Sequence, residues 1–267
     1  MTSDEPPSVE ELGNELLDTA PLARVLFLVL PFALCGMFFI FAARGLWIAA
    51  LACPVLLSFM TYGSISHDLV HRNLGLPPAI NEVFLSLIEL ITFRSGHAYR
   101  ATHLHHHAHV LARDDIEGAA AHMAWWRALL DGITLQPRLF IFAMRRAGRH
   151  RAWAVAEGIA VVAMLAACVA VVRITPIPLA YAALMIAGSW IFPFMTSYVP
   201  HVPNAATELT RTRLFRGRML SWLALEHLYH LEHHLYPHVP HQHWPELARR
   251  LDPYFHQAGI KPIKLWF

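Results

Sequence analysis

The stretches HDLVH at residues 67–71, HLHHH at residues 103–107 and HLEHH at residues 230–234 decide the fold of this chain. The first has the spacing H-x-x-x-H, and each of the other two contains H-x-x-H-H. Residues that are three or four positions apart lie on the same face of an α-helix. We therefore predict that each stretch is helical and turns its imidazoles in one direction, with His105 pointing elsewhere.

Together the three stretches supply eight imidazoles, too many for one tetrahedral zinc site, which takes about four ligands. Imidazole favours iron, zinc, copper or nickel over magnesium and calcium. The sequence lacks the H-E-x-x-H of zinc proteases and the paired E-x-x-H helices of ferritin-like bundles. One H-x-x-x-H would be a weak signal, but the three stretches together predict a site for two metal ions. The predicted ligands are His67, His71, His103, His106, His107, His230, His233 and His234.

The rest of the chain has the composition of a membrane protein. It has 267 residues, 56% of them hydrophobic and 15% charged, whereas a soluble domain is about a quarter charged. Four apolar stretches reach the ~20 residues that a membrane helix needs, and the links at Arg44-Gly45 and Arg173–Pro176 allow only tight turns. We predict an all-α membrane protein with four transmembrane helices in two hairpins. The four stretches are Leu22–Ala43, Leu46–Ile65, Ala154–Val172 and Ile177–Val199.

The distribution of basic residues predicts the orientation. Of the 21 Lys and Arg, only Arg44 and Arg173 lie at the hairpin tips, so 19 lie on the other side. The positive-inside rule places that side in the cytoplasm, with both termini and a helical cap that carries the histidines. Residues 80–93 and 125–144 are apolar but interrupted by charges, so they suit interfacial helices. The alternative is that one of them forms a fifth span.

Residues 1–20 contain six acids and no Lys or Arg, which excludes a signal peptide and predicts a mobile acidic arm with a short helix from Val9 to Leu17. We expect a single domain over residues 21–267. Cys35, Cys53 and Cys168 lie in apolar stretches without a paired spacing, so we expect them to be free. Nothing in the sequence indicates a nucleic-acid partner.

The arrangement of the histidines around two hairpins resembles the membrane fatty-acid desaturase and hydroxylase superfamily, over about Thr61 to Pro253. Members use a di-iron centre, O2 and two electrons from a ferredoxin or cytochrome partner. Residues 99–118 and 197–237 look like β-carotene ring hydroxylases of cyanobacterial type and the related ketolases. These share a Pro-His-x-Pro element, matched here at 200–203, and the superfamily has an extra iron ligand near it. The resemblance therefore implies a ninth ligand, His201.

The resemblance implies an oxygenase that hydroxylates a lipid-soluble substrate, most specifically the β-ring of a carotenoid. Leu228-Tyr229 and residues 113–116 differ from those hydroxylases, and the histidines alone do not separate hydroxylation from desaturation. An acyl-lipid desaturase and a carotenoid ketolase stay open. The non-enzymatic alternative is a metal-binding receptor or transporter, which would place ionisable groups near mid-membrane, where the predicted spans hold no histidine.

Further residues are candidates for supporting roles. Acids near the histidines can orient imidazoles: Asp68, Asp114, Asp115, Glu226 and Glu232. Other histidines suit a place next to the metal ligands or at the interface: His97, His105, His109 and His227. The remaining ones are expected at the surface: His122, His150, His238, His241, His243 and His256. Candidates to line a substrate channel are Phe59, Tyr62, Phe93, Trp190, Phe194 and Tyr198.

Overall fold

A computed structural model describes residues 5–146, 148–217 and 229–264. Over these residues the chain is mainly helical and has almost no strand, as predicted. The helices are α1 Val9–Leu12, α2 Pro21–Ala43, α3 Trp47–Met60, α4 Ser66–His71, α5 Pro78–Leu90, α6 Gly96–Ala108, α7 Trp125–Arg146, α8 Arg151–Ala170, α9 Ile177–Ser189, α10 Glu208–Arg211, α11 His230–Leu235 and α12 Trp244–Gln257. Two short strands, β1 Phe215–Arg216 and β2 Ile263–Lys264, pair in parallel.

Shorter helical segments connect these elements. Single 3₁₀ turns occur at Asn14–Leu17, Gly118–His122, Gly148–His150 and His241–His243. Two segments are π-helical, Thr61–Ile65 between α3 and α4 and Pro193–Tyr198 after α9. π-Helical turns are rare and occur frequently at functional sites. Both of these lie at the end of a membrane helix that leads toward the histidines.

Four stretches in the described residues are long and apolar enough to cross a membrane, which confirms the four predicted spans, and α2 is the helix of the first. They are Asn14–Ala43, Trp47–His71, Gly148–Ala170 and Ile177–Tyr198. The first turn is tight because Gly45 adopts φ +75°, which favours glycine. The second stretch runs on without a break through His67 and His71. Its last two turns therefore carry the first pair of histidines out of the apolar region.

The spans pack against one another along one side and expose apolar side chains on the other. Phe38, Leu57 and Met185 bring α2, α3 and α9 together in a buried cluster. On the outside, Ile48 is 90% exposed and Ile159 is 67% exposed. Large exposed apolar surface on a chain of this class marks contact with lipid. All three cysteines are free, as expected.

The two helices predicted at the interface, α5 and α7, are not among the described helices that are apolar enough to span. Helix α5 buries Leu85 and Ile88 against the membrane-proximal core. Helix α7 ends with Arg145 and Arg146 and buries one face, including Leu135 and Leu139. An amphipathic helix of this kind suits the edge of the membrane.

The sequence predicted a mobile arm over residues 1–20, but residues 8–16 pack against the rest of the chain. Ser8 caps α1 through a reciprocal bond with Glu11, and Leu12 and Leu16 are buried in a cluster with α12. Arg250 of α12 bonds to Glu15 over 2.6 Å. The predicted helix from Val9 to Leu17 is thus divided at Gly13 into two short turns that dock on the cap.

We predict that the two hairpin tips and the histidine-bearing cap lie on opposite sides of the membrane. Reporter fusions after Gly45 and after Lys264 should then give opposite localisation signals, because three of the four spans, an odd number, lie between the two fusion points. A fusion after Arg173 is the matched control and should agree with the one after Gly45. The same signal from Gly45 and Lys264 would contradict the two-hairpin topology.

Candidate metal centre

Five of the nine predicted ligands form one buried group, called group A here. Their ring nitrogens all lie within 4.8 Å of one another. The Nε2 atom of His233 lies 2.9 Å from that of His67 and 2.7 Å from that of His107. The Nε2 atoms of His107 and His103 are 3.1 Å apart. Helices α4, α6 and α11 supply the members of group A: His67, His71, His103, His107 and His233.

The other four predicted ligands form a second group, called group B. Their ring nitrogens also lie within 4.8 Å of one another. The Nε2 atom of His201 lies 3.3 Å from that of His230 and 3.4 Å from that of His234. The Nε2 atoms of His230 and His234 are 3.1 Å apart. The members of group B are His106, His201, His230 and His234, so every predicted ligand falls into one of two groups.

The spacing H-x-x-H-H divides each helix between the two groups. On α6, His103 and His107 are one turn apart and face group A, while His106 faces group B. On α11, His230 and His234 face group B and His233 faces group A. From the spacing alone, these three positions were predicted to share one face. The structure uses the angular difference between i+3 and i+4 to reach two neighbouring sites from one helix.

Hydrogen bonds at the far ring nitrogen orient three of the imidazoles. His103 Nδ1 lies 2.9 Å from Glu117 Oε2, and His106 Nδ1 lies 2.8 Å from Asp115 Oδ2. His201 Nδ1 lies 3.0 Å from the carbonyl oxygen of Ser197. When Nδ1–H donates to such an acceptor, Nε2 keeps its lone pair for a metal. Asp115 was a predicted orienting acid, whereas Glu117 was missed.

The pKa values of four ligand histidines outside the membrane stretches fit neutral imidazoles, whereas that of His106 shifts the other way. Burial and the neighbouring histidines hold the pKa of His107, His233 and His234 well below the usual range. Burial lowers the pKa of His201 to about 3. Burial also opposes the charge on His106, but its bond to Asp115 outweighs this and raises its pKa. A histidine must be unprotonated at the binding nitrogen to hold a metal.

The donor set of both groups fits metal ions. Within the described chain, His71 Nε2 is buried and has no hydrogen-bond partner. The Nε2 atoms around it approach one another, and two nitrogens that each carry only a lone pair repel. Nitrogen atoms turned toward a shared centre at this separation are the arrangement that a metal ion satisfies. The residues present therefore fit two imidazole-bound metals.

Several predicted supporting residues have other partners. Asp68 Oδ2 lies 2.6 Å from Nδ1 of His241, which is buried although it was expected at the surface. Glu232 pairs with Arg216 over 2.6 Å. His105 lies 3.2 Å from Asp114 and stacks on His109, outside both groups. Glu226 and His227 lie outside the described residues.

His97 belongs to a separate buried network. Its Nε2 lies 2.8 Å from Glu82 and its Nδ1 lies 2.7 Å from Glu157. Glu82 also pairs with Arg72 and Arg100. Glu82, His97 and His150 are close enough to hold a cation, but the two guanidinium groups already neutralise Glu82. The network instead ties α5, α6 and α8 together. Glu157 lies within a predicted span. A carboxylate inside a membrane helix usually has a partner, so this residue is the sequence signal that could have predicted the network.

Two cavities adjoin the histidines. A cavity of about 30 Å³ lies beside both groups and touches Tyr62, Gly63 and Trp244. A larger cavity of about 480 Å³ reaches His107 and His234 from the cap side. Of the predicted channel residues, Tyr62 lines the first cavity. Phe59 lines a third, apolar one between α3 and α9, which Tyr62 also touches. Phe93 packs against Tyr181 instead.

A membrane bundle with nine buried or half-buried histidines in two neighbouring groups has the side chains that a metal-binding protein of the bilayer needs. Comparison with known families is consistent with that class: the sequence profile described as Fatty acid desaturase matches residues 44–266. The chain belongs to this family, and so it is a membrane oxidoreductase of the desaturase and hydroxylase type. No curated protein matches the sequence in the corresponding comparison.

We predict that Glu157→Leu destabilises the protein by about 3–5 kcal/mol, because it leaves the buried His97 without one of its two carboxylate partners. The measurement is unfolding of the detergent-solubilised protein. Ile159→Leu on the same helix is the matched control, because Ile159 faces outward and a surface change is worth about 0.5 kcal/mol or less. Equal stability of the two variants would contradict a structural role for the network.

Proposed function

We propose that groups A and B each hold one iron ion and that the chain is a di-iron oxygenase. Nine imidazoles in two groups of five and four supply a nitrogen-only donor set, which suits iron. Members of the fatty acid desaturase family are typically di-iron enzymes, which supports the same metal. The observation that carries this proposal is the convergence of all nine Nε2-bearing side chains on two adjacent points.

With two electrons from a donor, a di-iron centre held there would activate O2, and activated oxygen can break an unactivated C–H bond. The chain must bring that bond close and exclude water. Tyr62, Tyr99 and Trp244 cover the small cavity beside the groups and limit it to about 30 Å³. Glu117 and Asp115 hold His103 and His106 in fixed orientations. These groups keep the two sites aligned while a substrate approaches.

The substrate is a carotenoid with an unsubstituted β-ring, and the product is its 3-hydroxy form. The joint resemblance of residues 99–118 and 197–237 to β-carotene hydroxylases supports this assignment. The residues that line the cavity between α3 and α9 are uncharged, which suits a hydrocarbon. An acyl-lipid desaturase and a carotenoid ketolase use the same metal site and are the alternatives that product analysis separates.

The electron donor is a soluble partner of the ferredoxin type that approaches from the cytoplasm. The positive-inside rule supports placing the cap and both termini there. The cavity of about 480 Å³ on the cap side touches His107 of group A and His234 of group B. A donor docked over this cavity would lie near one ligand of each site.

Removing one ligand should remove iron. We expect purified protein to hold about two irons per chain and His71→Ala to hold about one or fewer, because one imidazole of group A is lost. The measurement is elemental analysis of the metal content. His256→Ala is the matched control, because His256 is exposed on α12, and it should keep the full iron content. Active protein that contains only zinc would overturn the iron assignment.

Expression in bacteria that produce β-carotene tests the substrate. We expect zeaxanthin or β-cryptoxanthin in the pigment extract, identified by chromatography, and unchanged β-carotene with His233→Ala. Canthaxanthin would reassign the chain as a ketolase. Unchanged carotene together with new double bonds in membrane fatty acids would refute the carotenoid and leave a desaturase.

A further inference from the structure

A lipid-facing cleft lies between α3 and α9. It has a volume of about 380 Å³, and its described lining residues carry no charge. All of them belong to the two membrane stretches Trp47–His71 and Ile177–Tyr198. Val55 and Ile191 line the cleft and are also exposed on the outer surface of the bundle, by 56% and 46%. The cleft therefore lies at membrane depth, beside the hydrocarbon.

The cleft continues toward the metal groups. Tyr62 and Gly63 line both the cleft and the small cavity beside groups A and B. Gly63 has no side chain to close the passage, so the ring of Tyr62 forms the wall between the two spaces. On the far side of that wall the small cavity also touches His67 and His103. A hydrocarbon that passed Tyr62 would reach group A directly.

The ring of Tyr62 is held in a stack. It lies 4.6 Å from the ring of Tyr99 and 4.1 Å from that of Phe192, with interplanar angles of 19° and 20°. The guanidinium of Arg94 lies 5.4 Å from the centre of the Tyr62 ring and 5.1 Å from that of Phe192. Arg94 is buried and pairs with Glu89 over 2.7 Å. Cation–π contacts of this kind hold the stack closed over the passage.

The backbone around the stack departs from regular α-helix on both sides of the passage. Tyr62 belongs to the π-helical segment Thr61–Ile65, and Phe192 directly precedes the other one, Pro193–Tyr198. Arg94 also donates a hydrogen bond of 3.0 Å to Thr61 Oγ1. The regular hydrogen-bond pattern of an α-helix is interrupted on both sides of the passage. A change of ring position at Tyr62 therefore does not require an α-helical turn to break.

We propose that the cleft between α3 and α9 is the substrate-binding site, that an uncharged hydrocarbon end enters it sideways from the bilayer, and that displacement of the Tyr62 ring admits that end to the metal groups. This rests on the proposed oxygenase function. The ligand is a membrane-dissolved hydrocarbon with no charged group at its reacting end. A charged thioester from the aqueous phase finds no cation among the described lining residues of the cleft and would have to lose its hydration there.

Filling the cleft tests the binding step. A Cβ at Gly188 would lie 3.4 Å from Ser58 Oγ across the cleft, whereas one at Gly36 would meet nothing within 4 Å. Gly188→Leu should therefore lower substrate turnover at least tenfold and keep the parental iron content, while Gly36→Leu on α2 keeps both. Ser58→Leu fills the cleft from the opposite helix and gives the same readout if Gly188→Leu does not fold. Parental turnover in an iron-containing cleft variant would overturn the proposal.

Photo-crosslinking tests occupancy without relying on turnover. A benzophenone amino acid at Val55 should form an adduct with β-carotene in membranes, detected by mass, and the adduct should fall at least tenfold with Gly188→Leu. The same probe at Ile159, which is exposed on α8, is the control for general lipid contact. Equal adducts at both positions would overturn the site.

A bulkier ring at position 62 distinguishes binding in the cleft from passage to the metal groups. Tyr62→Trp should lower turnover at least tenfold while the adduct at Val55 persists, whereas Ile159→Trp on the outer face of α8 should keep the parental turnover. Loss of the Val55 adduct with Tyr62→Trp would contradict the order of the two spaces. Adduct formation in protein that oxidises neither carotenoid nor acyl lipid would refute the proposed function and leave the cleft standing.

Discussion

The convergence of nine imidazoles, five of them buried and four half-buried, on two adjacent points is the constraint on which the rest of the structure depends. Burying polar nitrogens without partners costs free energy, and their mutual approach is favourable only when something shared binds them. Helices α4, α6 and α11 have to meet for this, although they are far apart in the chain. The bonds from Glu117 and Asp115 to α6 make the arrangement rigid before any ligand arrives. The cap is therefore built around the centre.

The position of this centre relative to the bilayer is set by the membrane helices. A membrane helix that ends at the apolar boundary could not hold a histidine pair in a fixed position, but the second span continues through its π-helical segment into His67 and His71. The centre is thus fixed to the membrane by one continuous helix. On α8, Glu157 plays the corresponding role, because its bonds to His97 and Ser95 join a span to the start of α6. Ionic groups at the edge of the membrane hold the histidine helices against the spans.

Much of this could be predicted from the sequence because the signals are local. Span length, the turn at Gly45 and the spacing of the histidines each depend on residues that are close in the chain. Four spans and the eight histidines of the three stretches followed from them, whereas His201 was implied by the family resemblance. The division of α6 between the groups could not be predicted, because i+3 and i+4 point to different sites only when the partners are placed. Nor could the Asp68–His241 pair, since 173 residues separate its members.

The two sides of the centre have opposite chemistry, and this separation bears on the reaction. Toward the bilayer lies an uncharged cleft closed by the Tyr62 stack, and toward the cap lies a cavity that touches His107 and His234 together with Arg211. Hydrocarbon partitions to the first and water and charged partners to the second. An oxidising centre exposed to water would also lose selectivity. The wall of stacked rings lies between the cleft and the centre, so a hydrocarbon has to displace the Tyr62 ring before it reaches the histidines. The buried Arg94–Glu89 pair sets how firmly that wall is held, since the same guanidinium contacts both Tyr62 and Phe192.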